Sequence, residues 1–456
     1  MKKIKLILLF FMFLGINSFG QNKKWTLQEC VDYALKNNIS IKQSELDAET
    51  TAISKKDALG AFLPSINANA SHSWNIGLNQ NITTGLLENQ TTQFTSAGLN
   101  SNVTIYNGLE KQNKFRRANI AIVAAQYQLS KMKDDVSLNV ANAYLQILFN
   151  KENLKVQNEQ LTYDENQEKR SEELVKAGSV PRGDLLDIKA TVAADKQKVI
   201  AAENNLFISK LSLAQLLQLE DFQTFDVADA NYDAKSSPTM LQKPEDIVAK
   251  AKQDRVELKI AKANLELAEK DVKIAKGAYQ PTLSGFYSFS SRVSYANRII
   301  GVDGSGNPIL GNPLPFFDQF SNNKGHSFGV QLNVPILNGF SARNAVARSK
   351  IALDRSKTNE QQAGLDLERN VYTAITNAKV ALNSYEAAVA AFDARKEAFN
   401  YAKEKYAVGM MNSFDFNQSQ TLYTNSQSEV LRTKYDYIFK VKIVEFYFGI
   451  PITEKQ

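Results

Sequence analysis

In 456 residues there is one cysteine, two histidines and two tryptophans. A single cysteine, Cys30, excludes an internal disulfide. His72 and His326 are too few for a histidine-rich metal site, and no HExxH, GxSxG, P-loop or paired-cysteine spacing is present. No enzyme constellation is therefore legible, and neither cofactor nor metal is expected. Asp303-Gly304-Ser305-Gly306-Asn307 resembles a calcium loop only faintly, because the closing glutamate is missing. After the N-terminal segment no apolar run reaches the ~18 residues a spanning helix needs, so any membrane contact falls to strands.

What is present begins with a leader. Lys2, Lys3 and Lys5, an apolar run from Leu6 to Ile16 and then Ser18-Phe19-Gly20 have the order of a secretory signal, expected over residues 1–20. Its removal lowers the formal charge from +6 to about +3, which is no nucleic-acid signature. Cys30 does not follow the leader directly, as lipid attachment would require, and reads as a small apolar core residue.

The mature chain is written twice. Gly60-Ala61-Phe62-Leu63-Pro64-Ser65-Ile66 recurs as Gly277-Ala278-Tyr279-Gln280-Pro281-Thr282-Leu283, an offset of 217 that also pairs Cys30 with Ile247, Ala34 with Ala251 and Ile41 with Leu258. Beyond Val103 the offset is 231, pairing Gly108 with Gly339, Gly178 with Gly409 and Asp184 with Asp415. The extra 14 residues are expected in one loop, spanning about 68–95 in the first copy and 291–324 in the second. The repeats are expected over 21–220 and 244–450, with a linker at 221–243 and a short tail at 451–456.

Each copy carries two alternating segments, expected as β-hairpins at about 65–106 and 282–336. Ile66, Ala68, Ala70 and Trp74 alternate with Asn67, Asn69, Ser71 and Ser73, and Phe328, Val330, Leu332, Val334 and Ile336 alternate with Gln331 and Asn333. Charge-free strands with one apolar and one small polar face fit an outer-membrane barrel. A soluble antiparallel sandwich has the same alternation. Number separates them: a membrane barrel needs at least about eight strands and tolerates no open edge, so four strands must be shared between chains. Two copies would give eight and three would give twelve; periodicity does not choose.

From Leu109 to about Ala177, and from Phe340 to about Ala407, there is no proline and the only glycine is Gly364. Good helix formers predominate, and nearly seventy residues would extend on the order of 100 Å. Val371, Ala378, Tyr385, Phe392, Phe399 and Tyr406 keep a heptad, with Ala374, Ala381, Ala388 and Ala402 three residues on, broken by Arg395. The first copy matches with Val140, Ile147, Leu154, Leu161 and Val175, broken at Glu168. Helical hairpins are expected at about 109–219 and 340–448. Thr26-Leu27-Gln28-Glu29 reads as a capping box, and Pro244 as a first helical residue.

With these features the chain resembles the TolC-type outer-membrane efflux proteins. The residues that carry the resemblance are Gly60 to Ile66 and its echo, Val334-Pro335-Ile336-Leu337-Asn338-Gly339, and the turns Lys176 to Asp184 and Tyr406 to Asp415. The resemblance implies an α+β, mostly α, internally duplicated fold, with a shared trimeric transmembrane β-barrel continued by a coiled-coil periplasmic barrel. It implies an exit duct in the outer membrane, a homotrimer working with a periplasmic adaptor and an inner-membrane transporter. It further implies a gate in which Asp184 ties to Tyr406 and Asp415 contributes an acidic ring, with adaptor contacts at Gly178, Ser179, Val180, Gly409, Met410 and Met411. Gln418 stands where the family has a second ring aspartate, and Met411 where it has a latch arginine, so one acidic ring and a lighter latch are expected. By their residues alone Asp184 and Asp415 also read as helix caps, and Tyr406 also as heptad core. A pore-less coiled-coil scaffold and a secreted enzyme are the competing readings, disfavoured by the charge-free strands and the missing catalytic groups.

Overall fold

The computed structural model describes residues 24–81, 85–229 and 237–453. The expected leader lies outside the described residues. No described helix is long and apolar enough to cross a membrane. The chain divides into two compact units, one of Glu49–Ala124 with Lys262–Asn359, the other containing Ala125–Ala261 and Glu360–Gln456 together with the N-terminal stretch up to Ala48. Each unit draws on both repeats.

In the second of these units, β1 (Lys24–Trp25) leads to α1 (Leu27–Asn37) and α2 (Ile39–Gly60), the last of which continues into the other unit. The capping box forms: Glu29 N donates to Thr26 Oγ1 (3.3 Å) and Thr26 N donates to a Glu29 carboxylate oxygen (2.9 Å). Cys30 is fully buried, and its offset-217 counterpart Ile247 is 1% exposed. The long helix α3 (Glu110–Lys176) turns back into α4 (Arg182–Leu217). Val140 and Ile147 of the heptad are fully buried in one core with Leu213 and Leu217.

The stretch expected as a linker is tied down where it is described. Its strand β4 (Asp226–Val227) pairs in parallel with β1, Val227 is fully buried, and Lys151 Nζ donates to Asp226 (2.9 Å), Asp229 (2.9 Å) and the Val227 carbonyl (2.8 Å). A short 3₁₀ turn (Pro238–Leu241) precedes α5 (Pro244–Asp254) and α6 (Val256–Gly277). Between them Arg255, 7% exposed, reaches Asp134 (3.1 Å) and Glu257 (3.2 Å) and lies 3.8 Å over the Phe446 ring. The second hairpin is α8 (Ser341–Ala407) and α9 (Ser413–Phe448), with Val371 and Ala378 fully buried.

The other unit is built on a four-stranded antiparallel sheet of β2 (Ser65–Gln80), β3 (Leu87–Asn107), β5 (Thr282–Ser294) and β8 (Gly325–Asn333), in the order β2-β3-β5-β8. The central pair joins the repeats, with Val103 opposite Gly285 and Leu99 opposite Phe289. Sequence alternation and register agree: Ala68, Leu99, Phe289 and His326 share one face, and Asn67, Asn100, Ser288 and Ser327 the other. On the polar face Ser288 Oγ donates to Asn100 (2.8 Å), which donates to Asn69 (3.0 Å). Both histidines lie on the apolar face, bonded to Thr95 (2.7 Å) and Tyr287 (2.9 Å) respectively.

Two expectations need correction. The first-copy segment 68–95 is not mainly loop, because β2 and β3 run on in register to Gln80 and Leu87. In the second copy the corresponding stretch forms the hairpin of β6 (Arg298–Val302) and β7 (Pro308–Gly311), then α7 (Phe316–Asn322). β8 stops at Asn333, short of the alternation that continues to Ile336, since Pro335 has no ladder donor. Above β8 the edge of β5 is covered by α7. Gln319 accepts from Ser294 N (3.0 Å) and donates to the Ser294 carbonyl (2.9 Å), making the bonds a strand neighbour would make. The Asp303 loop is the β6–β7 turn, its carboxylate accepting from Ser305 N and Asn307 N at 2.9 Å.

Candidate functional site

The turns between helices are built alike. Gly178 and Gly409 take positive φ (+70° and +74°), and the following amides reach back, Ser179 N to the Leu174 carbonyl (2.9 Å) and Met410 N to the Lys405 carbonyl (2.8 Å). This six-to-one bond closes a helix end on a left-handed residue, which glycine adopts without a Cβ penalty. The turn residues Gly178, Ser179, Gly409 and Met410 are exposed, and Val180 and Met411 are half-buried. Val408, Met410 and Phe414 are 70%, 76% and 72% exposed, a concentration of apolar surface on the second turn.

Asp184 lies in the first turn of α4 and accepts a long hydrogen bond from Ser413 Oγ (3.3 Å), which joins the two tips. Tyr406 is not its hydrogen-bonding partner. The Tyr406 ring stacks on Phe416, with centroids 4.4 Å apart and planes 12° from parallel. Burial, then the charge of Asp184, pushes the phenol pKa up, so the two are neighbours electrostatically without being bonded. Ser413, two residues after Met411 and 9% exposed, was not singled out by sequence; its only signal was its place at the first helical position after Asn412.

Asp415 is not the cap of α9. Asn412 is: its side-chain oxygen accepts from Asp415 N (2.8 Å), and its amide donates to the Asp415 carboxylate (2.9 Å). That reciprocal pair fixes an acid in the first turn, where the helix dipole favours negative charge. Asp415 and Gln418 are both exposed, while Phe416, Gln420 and Thr424 on the other side are buried. The exposed stripe thus keeps one carboxylate and one amide free of packing.

Deeper along the hairpins lie polar residues that sequence reasoning missed. Asp164 is fully buried and accepts from Gln160 (2.6 Å) and from Gln420 (2.7 Å). Burial, then the neighbouring carboxyl of Asp195, pushes its pKa up to about 7. The signal available was Asp164's place three residues after Leu161, on the heptad's companion positions where the second copy has mostly alanine. Among the described residues, no group of three or more His, Cys, Asp or Glu side chains is placed to hold a metal.

The sequence pattern described as outer membrane efflux protein matches residues 30–218 and 247–441. The pyoverdine export outer membrane protein OpmQ of Pseudomonas aeruginosa is 24% identical over 290 residues, covering 63% of this chain and 54% of that protein, so the match spans little more than half of that relative. Outer membrane protein TolC of Vibrio cholerae is 21% identical over 393 residues, covering 84% and 81%. Among solved structures, the Campylobacter jejuni CmeC outer membrane channel matches with a TM-score of 0.73 at 20% identity, covering 94% of this chain and 86% of that one. CusC matches with a TM-score of 0.76 at 16% identity, covering 95% and 96%. The solved channels share the fold over nearly the whole length, and two matched stretches, one per repeat, place the protein in the outer membrane: the chain belongs to the outer membrane efflux protein family.

Proposed function

We propose that this protein is the exit duct of a tripartite efflux or type I secretion system. Three copies share a twelve-stranded barrel and a periplasmic helical tunnel, gated at the helical tips and fed by an inner-membrane transporter through a periplasmic adaptor. The observation that carries the reading is a contact made once within the chain whose repeat-equivalent is left open. Inside the chain β3 of the first repeat pairs with β5 of the second, and a Cβ at Gly108 would lie 2.5 Å from the Gly277 carbonyl. The repeat-mates of β3 and β5 are β8 and β2, the two unpaired edges; those of Gly108 and Gly277 are Gly339 and Gly60, where an added Cβ would meet nothing within 4 Å. An open edge is not viable in lipid, so the internal pairing recurs between copies, β8 against β2 of the next copy.

Carrying the β3–β5 register through the two offsets sets Asn333 opposite Asn69, Gln331 opposite Ser71, Val330 opposite His72 and Phe328 opposite Trp74 of the next copy. The apolar face of one strand then meets the apolar face of the other, and the polar face the polar face. A slip of one residue would cross the faces. Twelve strands, the number the family resemblance implies, leave an interior lined by the polar face.

At the tips, three Asp415 carboxylates around a narrow entrance would favour cations, and the exposed Val408, Met410 and Phe414 offer apolar surface to an adaptor hairpin. The purified oligomer in a planar lipid bilayer is expected to give discrete conductance steps with cation preference, reduced by Asp415→Asn. A folded oligomer that forms no pores would contradict the duct.

A further inference from the structure

Asp164 in α3 and Asp195 in α4 are 0% and 3% exposed and lie within hydrogen-bonding reach of each other. Asp164 takes N–H donors from Gln160 and Gln420, and Gln160 in turn accepts from Thr424 Oγ1 (2.7 Å). Asp195 Oδ1 accepts from Lys198 Nζ (2.9 Å), but its Oδ2 is buried without a partner. Two buried carboxylates beside one half-exposed lysine cannot both remain charged at modest cost. One proton held at Asp164 removes both problems: its O–H can donate to the unpartnered Asp195 Oδ2, and only one carboxylate charge stays buried.

We propose that Asp164 and Asp195 form a proton-binding site that clasps α3 to α4 and, through Gln420 and Thr424, to α9, so that the packing of the two hairpins behind their tips is held by one proton. The surroundings leave the pair the deciding charge. On α4 Lys196 is taken up by Glu165 (3.3 Å), on α8 Lys403 lies over the Tyr163 ring (5.8 Å), and Gln420 and Thr424 of α9 do not ionise. The folded-state pKa is raised, to about 7 for Asp164, above the ordinary carboxyl value. The stabilising contribution is therefore complete below that ordinary value and is lost as pH rises through about 7. The clasp stands whether or not the chain forms a duct; if it does, the clasp couples the gate region to periplasmic pH.

The test is an infrared titration of the purified full-length protein between pH 5 and 9. A protonated-carboxyl C=O band should disappear with a midpoint near pH 7. It should be missing from Asp164→Asn and Asp195→Asn, and unchanged in Asp415→Asn. Hydrogen exchange of peptides covering 160–200 and 413–424, corrected for intrinsic rates, should lose about tenfold protection from pH 6 to 8 in the unsubstituted protein and none in Asp195→Asn. A wild-type protein with no carboxyl titrating in this range, a band that survives both asparagine variants, or pH-independent protection would overturn the proposal. Should either variant fail to fold, the other and the wild-type titration decide it.

Discussion

At the offset that relates the two helical hairpins, Asp164 corresponds to Arg395, Asp195 to Ser426 and Gln160 to Ala391. Asp164 is fully buried and Arg395 is exposed. In the other direction, Phe399, Tyr406, Phe416 and Tyr423 of the second hairpin correspond to Glu168, Val175, Leu185 and Val192 of the first. Phe399 stacks on Tyr423 at 5.1 Å and 8°, and Tyr406 on Phe416 at 4.4 Å and 12°. Near its tip the first hairpin therefore buries two carboxyls beside aliphatic residues such as Ile188 and Val192, and the second buries rings. Ring stacking is insensitive to pH, whereas buried carboxyls answer to it. The two copies share one backbone plan, and their differing side chains place ring stacks in one and buried carboxyls in the other.

The largest effect expected from breaking this contrast is at Phe416, 2% exposed, stacked on Tyr406 and tilted against Phe399. Phe416→Ala should cost about 3–5 kcal/mol in denaturant unfolding. Next is pH. Relative to Asp195→Asn, the unsubstituted protein should lose stability as pH rises from 5 to 7, with a slope of at most about 1.4 kcal/mol per unit, and level off above. Gln420→Leu removes one donor from the Asp164 carboxyl and should cost about 1–2 kcal/mol while leaving Tyr406 stacked, visible as unchanged near-ultraviolet dichroism. The smallest effect is Tyr406→Phe: the ring stack survives and no hydrogen bond to Asp184 is lost, so stability should change by less than about 0.5 kcal/mol. A larger loss would show that the hydroxyl, not the ring, serves the tip.

Much of the fold was legible because its signals are periodic. Alternation placed the four sheet strands, the heptads placed the long helices, and the repeat offset matched Cys30 with Ile247 as core. The β6–β7 hairpin and α7 were not legible, because the stretch from Ser291 to Lys324 has no repeat-mate of its own length. Nor was the reach of β2 and β3, since Asn, Gln and Thr on both faces of Asn89 to Thr92 blur the alternation. At the candidate site the turns were readable from Gly178 and Gly409, but partner choice was not. Spacing shows that Asp184 and Tyr406 lie near the tips, while only packing decides that the acid bonds Ser413 and the ring bonds Phe416.

The central claim, that copies of this chain close one wall by repeating its internal strand pairing, is tested most directly by disulfide cross-linking in native outer membranes with Asn69→Cys and Asn333→Cys in the same chain. Cys30 is fully buried and serves as the silent background. The expected result is oxidised ladders ending at three subunits, with a one-residue shifted pair, Asn69→Cys with Val334→Cys, giving none. Cross-linking that stops at two subunits, favours the shifted pair, or is absent from folded protein would contradict it.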